Sequence, residues 1–427
     1  MRPVTEPRTR SRPRAVWNLA DQALSSLATF AVTILAATAG SAEQFGHFAV
    51  AFTLYLFVLG VSQALVNQVF LMRFPSVSDD EAARGARAAG GLALAFGVAC
   101  AAVVIPAGLL VAGAAGPSIA TIAALFPVLF LQEAWRGVLI GRGRPAAATL
   151  NDAVRTVLQL GSMGLVVAAG HSDPTLLLGV WGGAASVAAV LGCVQIGGVP
   201  SLRAGLAFAR RHADISRFLV AEWLLVLGAG QLGLLAVAWL GSPADVGSLR
   251  GAQTLLGPMN ILGLGVFTYL LTELVRRPDL GVRSLRKVAA GAGGALWLLA
   301  VLWGVCLLAL PDRVGSVLLG DTWLGTYGTL LPMTIYVAGA AAATGTLAVL
   351  RSRGDARSTF LVNTVLGPLI LGGVVLGEIT AGAVGAAWGF ALATTLVVPL
   401  FWARMERSMR TPRSDPTDVP HEDRSRV

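Results

Sequence analysis

The fold the sequence predicts is an all-α polytopic membrane protein, with 12 transmembrane helices in two parallel six-helix lobes around a central cavity. Three observations predict it. Hydrophobic residues make up 55% of the 427 residues and charged ones only 13%, against about 25% charged in an ordinary soluble domain. Apolar runs of about 20 residues, enough to cross roughly 30 Å of hydrocarbon, recur along the chain. The second half of the chain also echoes the first. Together with a mean hydropathy of +0.71, this excludes a soluble globular enzyme, a disordered chain and a disulfide scaffold.

Twelve runs are expected to span: 17–39, 46–71, 89–113, 118–140, 148–170, 175–198, 218–240, 247–275, 288–310, 328–350, 359–377 and 382–403. Residues 1–16 form a basic cytoplasmic tail, 17–198 the N-lobe, 199–217 an inter-lobe loop, 218–403 the C-lobe and 404–427 a disordered tail. Ala37-Thr38-Ala39 resembles a signal-peptide cleavage site. The stretch before it is long for a signal sequence, however, and carries Asn18, Asp21 and Gln22.

Loop charges set the orientation. Alternate loops hold Arg73, Arg84 and Arg87, then Arg142 and Arg144, then Arg203, Arg210, Arg211 and Arg217, then Arg276, Arg277, Arg283, Arg286 and Lys287, and last Arg351, Arg353 and Arg357. The opposite loops hold Glu43, Asp173, Asp245, Asp312, Asp321 and Glu378, with Arg313 their single basic residue. Positive-inside places both termini in the cytoplasm. Of 32 basic residues only Lys287 is lysine, and Ala and Gly are abundant. That is the coding bias of a GC-rich bacterium, so the cytoplasmic membrane of a bacterium is the expected location.

Other functions are excluded in turn. The basic excess, +9 overall, is spread over short loops and forms no nucleic-acid-binding domain. Lys287 follows Arg286 and precedes Val288, so no Walker A loop exists. Cys100, Cys193 and Cys306 are far apart, and His47, His171, His212 and His421 are isolated. No metal site and no cofactor is expected. Ser78-x-x-Glu81 reads as a helix cap rather than an acidic metal cluster. Gly141-Arg142-Gly143-Arg144 reads as a hinge loop rather than a phosphate cradle.

The repeat appears in the turns. Gly40-Ser41-Ala42-Glu43-Gln44-Phe45-Gly46 is matched 201 residues later, from 40 to 241, by Gly241-Ser242-Pro243-Ala244-Asp245-Val246-Gly247. The same offset pairs Asp21 with Glu222. Leu125-Phe126-Pro127 aligns with Leu330-Leu331-Pro332, and Arg142-Gly143 with Arg353-Gly354. Parallel halves of six spans suit a transporter of two lobes more than an enzyme.

These features carry a resemblance. The arginine-rich front running into a span with an early acidic residue, the repeated Gly-Ser-x4-Gly turn, the 6+6 layout and Leu318-Leu319-Gly320-Asp321-Thr322-Trp323 before span 10 are similar to those of the multidrug/oligosaccharidyl-lipid/polysaccharide (MOP) exporter superfamily. The nearest branch is the Wzx-type polysaccharide flippases, over roughly residues 15–405. The resemblance implies a flippase that moves an undecaprenyl-pyrophosphate-linked oligosaccharide to the outer leaflet by alternating access, for cell-surface polysaccharide biosynthesis. It would work with membrane lipids and alongside a polysaccharide polymerase or glycosyltransferases. The alternative is a proton- or sodium-coupled multidrug (MATE-like) exporter.

Charges inside hydrocarbon are costly and usually line a cavity. Arg155, three residues after Asp152 on one face of a polar span, is the first candidate for pyrophosphate, because guanidinium is a planar fork of donors. Arg250, with Gln253, is the second. Gln63 and Asn67, four apart, would meet sugar hydroxyls, although helix–helix hydrogen bonding explains them as well. Glu133 and Arg136 are placed at the cavity mouth. Asp21 and Glu222 are the ion-coupling candidates. Pro127 and Pro258 are candidate hinges.

Overall fold

The computed structural model describes residues 11–74, 77–111 and 113–410, and of 11–23 and 356 only the backbone. Residues 1–10 and 411–427, most of the two expected tails, lie outside the described residues.

Seven helices build the first half: α1 (Ser11–Ala39), α2 (Ala42–Leu65), α3 (Asn67–Arg73), α4 (Asp79–Leu109), α5 (Ala115–Gly141), α6 (Pro145–Ala168) and α7 (Pro174–Ile196). A short amphipathic helix, α8 (Leu202–Arg211), leads to the second half. There α9 (Ala213–Trp223) runs through a π-helical turn, Leu224–Gly228, into α10 (Ala229–Leu240). Then come α11 (Pro243–Leu255), α12 (Gly257–Arg276), α13 (Val282–Leu308), α14 (Asp312–Leu319), α15 (Trp323–Ser352) and α16 (Ala356–Arg410).

Every expected span falls on helix. Among the described residues nine helical stretches are long and apolar enough to cross a membrane, and Leu24–Ala39 is a shorter apolar one. α6 falls outside the nine because its faces carry Asn151, Asp152, Arg155 and Gln159. α16 counts once but holds two expected spans, separated where Ala381 and Gly382 leave helical geometry. Gly382 takes φ 58°, which glycine reaches without a Cβ penalty. The count of twelve therefore rests on the sequence reading of α1, α6 and α16. α16 also runs past the expected end at 403 to Arg410, with Arg407 and Arg410 in its last turn, where the helix dipole favours cations.

The repeated turns are helix caps. Ser41 and Ser242 each accept a hydrogen bond from the backbone three residues on, at Gln44 and Asp245, whose side chains return the bond to the serine N–H. Each is a capping box satisfying two orphan donors, one opening α2 and one opening α11. The two turns also touch. A Cβ on Gly46 would come 2.2 Å from the Pro243 carbonyl oxygen, and one on Gly247 3.4 Å from the Gly46 Cα. The lobes thus meet at the acidic end, termed the outer end because the loop charges lead one to expect it on the outside. Beside this contact the outer end of α1 meets Gly320, whose Cβ would lie 2.9 Å from the Ala37 carbonyl oxygen.

At the arginine-rich inner end α2 meets the C-lobe again. Phe57 lies 5.4 Å from the Trp223 ring, and a Cβ on Gly60 would fall 2.0 Å from that ring. α2 is therefore the seam helix along one side of the lobe interface. On the other side α12 contacts α1 and lines a cavity with it. Of its 20 residues only Leu274 is buried, and Leu264 and Tyr269 are exposed. The expected caps elsewhere are also present: Ser78 accepts from the Glu81 N–H at the start of α4, and Gly143 takes φ 70° in the 141–144 loop.

Candidate functional site: a cavity between the lobes

Two polar assemblies occupy the middle of the fold. The first lies within the N-lobe and joins residues the sequence placed in separate roles. Arg136 on α5 binds Glu133 through Nη1 at 2.9 Å and Asp152 on α6 through Nε at 2.9 Å. Gln63 Nε2 donates to Glu133 Oε1 at 3.0 Å, and Asn67 Nδ2 to the Glu133 carbonyl at 3.1 Å. Gln132 Nε2 donates to Asp152 Oδ1 at 3.0 Å, while its Oε1 accepts from Arg155 Nη1 at 2.7 Å. Arg155 stacks over Trp181, 5.6 Å from the ring centroid.

This assembly places three sets of candidate residues together. Glu133 and Arg136 are not a pair standing by itself at the cavity mouth. Glu133 is buried between Arg136 and Gln63 of α2, and Arg136 reaches across to Asp152 on α6. Asp152 turns to Arg136 rather than serving beside Arg155, because the guanidinium of the neighbouring helix offers it a direct ion pair. Gln63 and Asn67 hydrogen-bond across helices to Glu133, which the sequence allowed as their other role. Two cations and two carboxylates leave the assembly neutral. Arg155 keeps one buried donor, Nε, without a hydrogen-bond partner.

The second assembly is the cavity, about 640 Å³, between α1 and α2 of one lobe and α10, α11, α12 and α15 of the other. One wall is aromatic: Phe45, Phe48 and Phe52 stack along α2 at 6.4 and 5.8 Å. The opposite wall carries hydroxyl and amide groups, among them Ser25, Ser26 and Thr29 on α1 and Gln253, Thr254 and Asn260 on α11 and α12. Ser25 also donates to Asp152 Oδ2 at 3.0 Å, tying the cavity to the N-lobe assembly.

Among the described residues Arg250 is the cavity's one cation, and no acidic residue lines it. Its Nε donates to Thr53 Oγ1 at 3.0 Å, its Nη1 to Gln253 Oε1 at 3.0 Å and its Nη2 to Gln231 Oε1. All three acceptors are neutral. Arg250 therefore carries a positive charge into a partly apolar chamber without a counter-charge among the described residues. α11 aims it into the cavity, beside Gln253.

The remaining candidates separate. Glu222 on α9 pairs with Arg351 on α15 at 3.1 Å, with both side chains about 40% exposed (42% and 40%), so it is no isolated buried carboxylate. Asp21 falls on α1, and its side chain lies outside the described residues. Pro258 sits in the first turn of α12, just after the break from α11 at Leu256. Pro127 packs hard on α4: a Cβ on Gly97 would lie 2.6 Å from its Cα. The sequence reading missed Thr53, Gln231, Gln132, Tyr336 and the three phenylalanines. The stacked phenylalanines had a signal, an aromatic at 45, 48 and 52 along one helix face.

No family model matches the sequence, and no curated protein is significantly similar to it. Solved structures are. An inward-facing multidrug resistance MATE family transporter of the MOP superfamily superimposes with a TM-score of 0.68 at 13% identity, covering 93% of this chain and 94% of that one. The lipid II flippase MurJ in an inward closed conformation gives 0.69 at 11% identity, over 92% and 89%. An outward-facing MATE transporter of the same superfamily gives 0.55 at 13% identity, over 93% and 95%. This chain therefore has the fold of the MOP superfamily transporters, shared with both the multidrug exporters and the lipid II flippase.

Proposed function

We propose that the protein is a flippase of the bacterial cytoplasmic membrane that carries an undecaprenyl-pyrophosphate-linked oligosaccharide to the outer leaflet, serving cell-surface polysaccharide assembly. The observation that carries this reading is Arg250, a cation that lines the cavity with only neutral hydrogen-bond partners and no acidic neighbour among the described residues. A cation in low dielectric favours an anionic guest strongly, and a planar guanidinium suits phosphate oxygens. The stacked phenylalanines of α2 offer ring faces to sugars, and the hydroxyl and amide groups of α1, α11 and α12 offer partners to their hydroxyls. The largely unburied α12, which lines the cavity, is the proposed side on which a polyprenyl tail would stay in lipid. Rocking of the two lobes about the α2 seam would turn the cavity outward, with Pro258 at the break in span 8 and Pro127 as bending points. Nothing in the site calls for covalent catalysis, so the proposed role is transport. A polysaccharide polymerase or glycosyltransferases are the proposed pathway partners.

The test is made in cells depleted of the protein. Lipid-linked glycans are extracted and their leaflet is read by access to an added membrane-impermeant glycosidase. Build-up of an inaccessible glycan is expected. No build-up, with raised sensitivity to cationic dyes, would favour a proton- or sodium-coupled multidrug exporter instead. The fold it shares with MATE transporters supports that second reading. The Arg250 charge, with no acid beside it among the described residues of the cavity, speaks against it, because it repels cationic drugs.

A further inference from the structure

A carboxylate that the transport reading leaves unused is buried at the outer end. Glu378, in the last turns of the first half of α16 and beyond the expected span 359–377, is 5% exposed. Its Oε2 has no hydrogen-bond partner. Its other oxygen faces Asp245 across Gly241. The point where a Gly241 Cβ would stand lies 1.8 Å from Glu378 Oε1 and 3.0 Å from Asp245 Oδ2. Asp245 is already held by the Ser242 N–H and hydroxyl, at 2.8 and 2.6 Å. No cation meets either carboxylate among the described residues. α10 carries no ionisable side chain. The outer half of α15 offers only Tyr327, whose hydroxyl donates to the Leu308 carbonyl, and Tyr336, against Phe390.

We propose that Glu378 and Asp245 form a proton-binding site that locks the outer contact between the lobes. Two adjoining carboxylates, one of them buried, resist being ionised together. With a proton on Glu378 the pair is compatible with the observed packing. With both ionised, repulsion and the cost of a buried charge push apart α16 and the 241–247 turn. That turn is the segment whose Pro243 presses on Gly46, so proton loss loosens the contact between α2 and α11. Burial, then the Asp245 charge, raises the Glu378 carboxyl to about 7. The sign follows: the closed contact is favoured below that value and weakened as pH rises through it. The inference extends the transport reading by naming a ligand, the proton, and what it controls.

The experiment uses the full chain in lipid nanodiscs, without substrate. Infrared spectroscopy follows the protonated-carboxyl band against pH. Paired spin labels at Glu43 and Val317, with the native cysteines replaced by serine, report the outer distance. The expected band titrates with a midpoint near 7, and the outer distance lengthens over the same range. Glu378→Gln abolishes the band and keeps the distance short at every pH. Asp245→Asn, which retains a capping side chain, moves the midpoint down and provides the readout if the first variant fails to fold. A band that neither variant alters, or a distance that ignores pH in the parent chain, overturns the proposal. So does a band removed by sodium at constant pH, which would make the pair a metal-cation site. Because no glycan is involved, these outcomes are independent of the leaflet assay.

Discussion

Arg250 on α11 donates through Nε to Thr53 Oγ1 on α2 at 3.0 Å, so this cavity cation is itself a bond between the two lobes. An anionic group entering the cavity competes with Thr53 for the same donor. Substrate binding and lobe contact therefore draw on one side chain, a physical basis for coupling occupancy to movement.

Arg250 sets the first prediction. Arg250→Gln keeps hydrogen bonding and removes the charge. A charge-assisted hydrogen bond contributes about 1.5–3 kcal/mol, so affinity for a polyprenyl pyrophosphate should fall at least about tenfold with the fold intact. Arg250→Lys should restore only part of it, since a point charge does not reproduce the fork. Binding titrations on the purified variants check this, and unchanged affinity in Arg250→Gln would remove Arg250 from the site.

Gly46→Val tests the outer contact. Its Cβ would lie 2.2 Å from the Pro243 carbonyl oxygen, a backbone atom that cannot rotate away. Overpacking costs about 1–3 kcal/mol, enough to separate α2 from α11. Label distances across the outer end should lengthen in the variant. Unchanged distances would mean that the turns do not hold the lobes together.

The N-lobe assembly should be structural at Asp152 and functional at Arg155. Asp152→Ala takes one carboxylate from Arg136, 19% exposed, and should destabilise by about 3–5 kcal/mol, seen as a lower Tm in detergent. Arg155→Ala leaves those ion pairs standing and should abolish export in a stably expressed protein. Normal export by that variant would assign Arg155 to packing on Trp181.

Asp355 gives a pH prediction away from the membrane. Its Oδ1 accepts from the Ser358 N–H at 2.9 Å at the start of α16. Burial would raise this carboxyl, but the bonds from Ser358 and Ser408 and the Arg404 charge outweigh it and hold it below its ordinary value of 3.8. A depressed acid stabilises the fold above its unfolded value and stops doing so as pH falls through the folded one. Asp355→Ala should cost about 1 kcal/mol near neutrality, and the Tm difference should vanish in strong acid. A difference that persists there would count against the cap.

The sequence made some of this legible and hid the rest for physical reasons. The two capping serines showed because a cap needs fixed residue types at fixed spacing, so Ser41 with Gln44 and Ser242 with Asp245 stood out as a repeat. Pro258 marked the break in span 8 for the same local reason. The partners of Arg250 did not show. Thr53, Gln231 and Gln253 come from three helices, and such convergence leaves no period in the chain. Asp152 and Arg155 share a helix face, yet the acid turned to Arg136 on the next helix, a choice that only packing reveals. Glu378 read as a loop charge because nothing local announces that Gly241 lets Asp245 approach it.

The most direct measurement compares ligands on the purified full chain: undecaprenyl pyrophosphate against a cationic dye, each titrated into the parent protein and into Arg250→Gln. The account predicts saturable binding of the pyrophosphate lipid, weakened at least about tenfold by the substitution, and little binding of the dye. Tight dye binding with no pyrophosphate binding would contradict it.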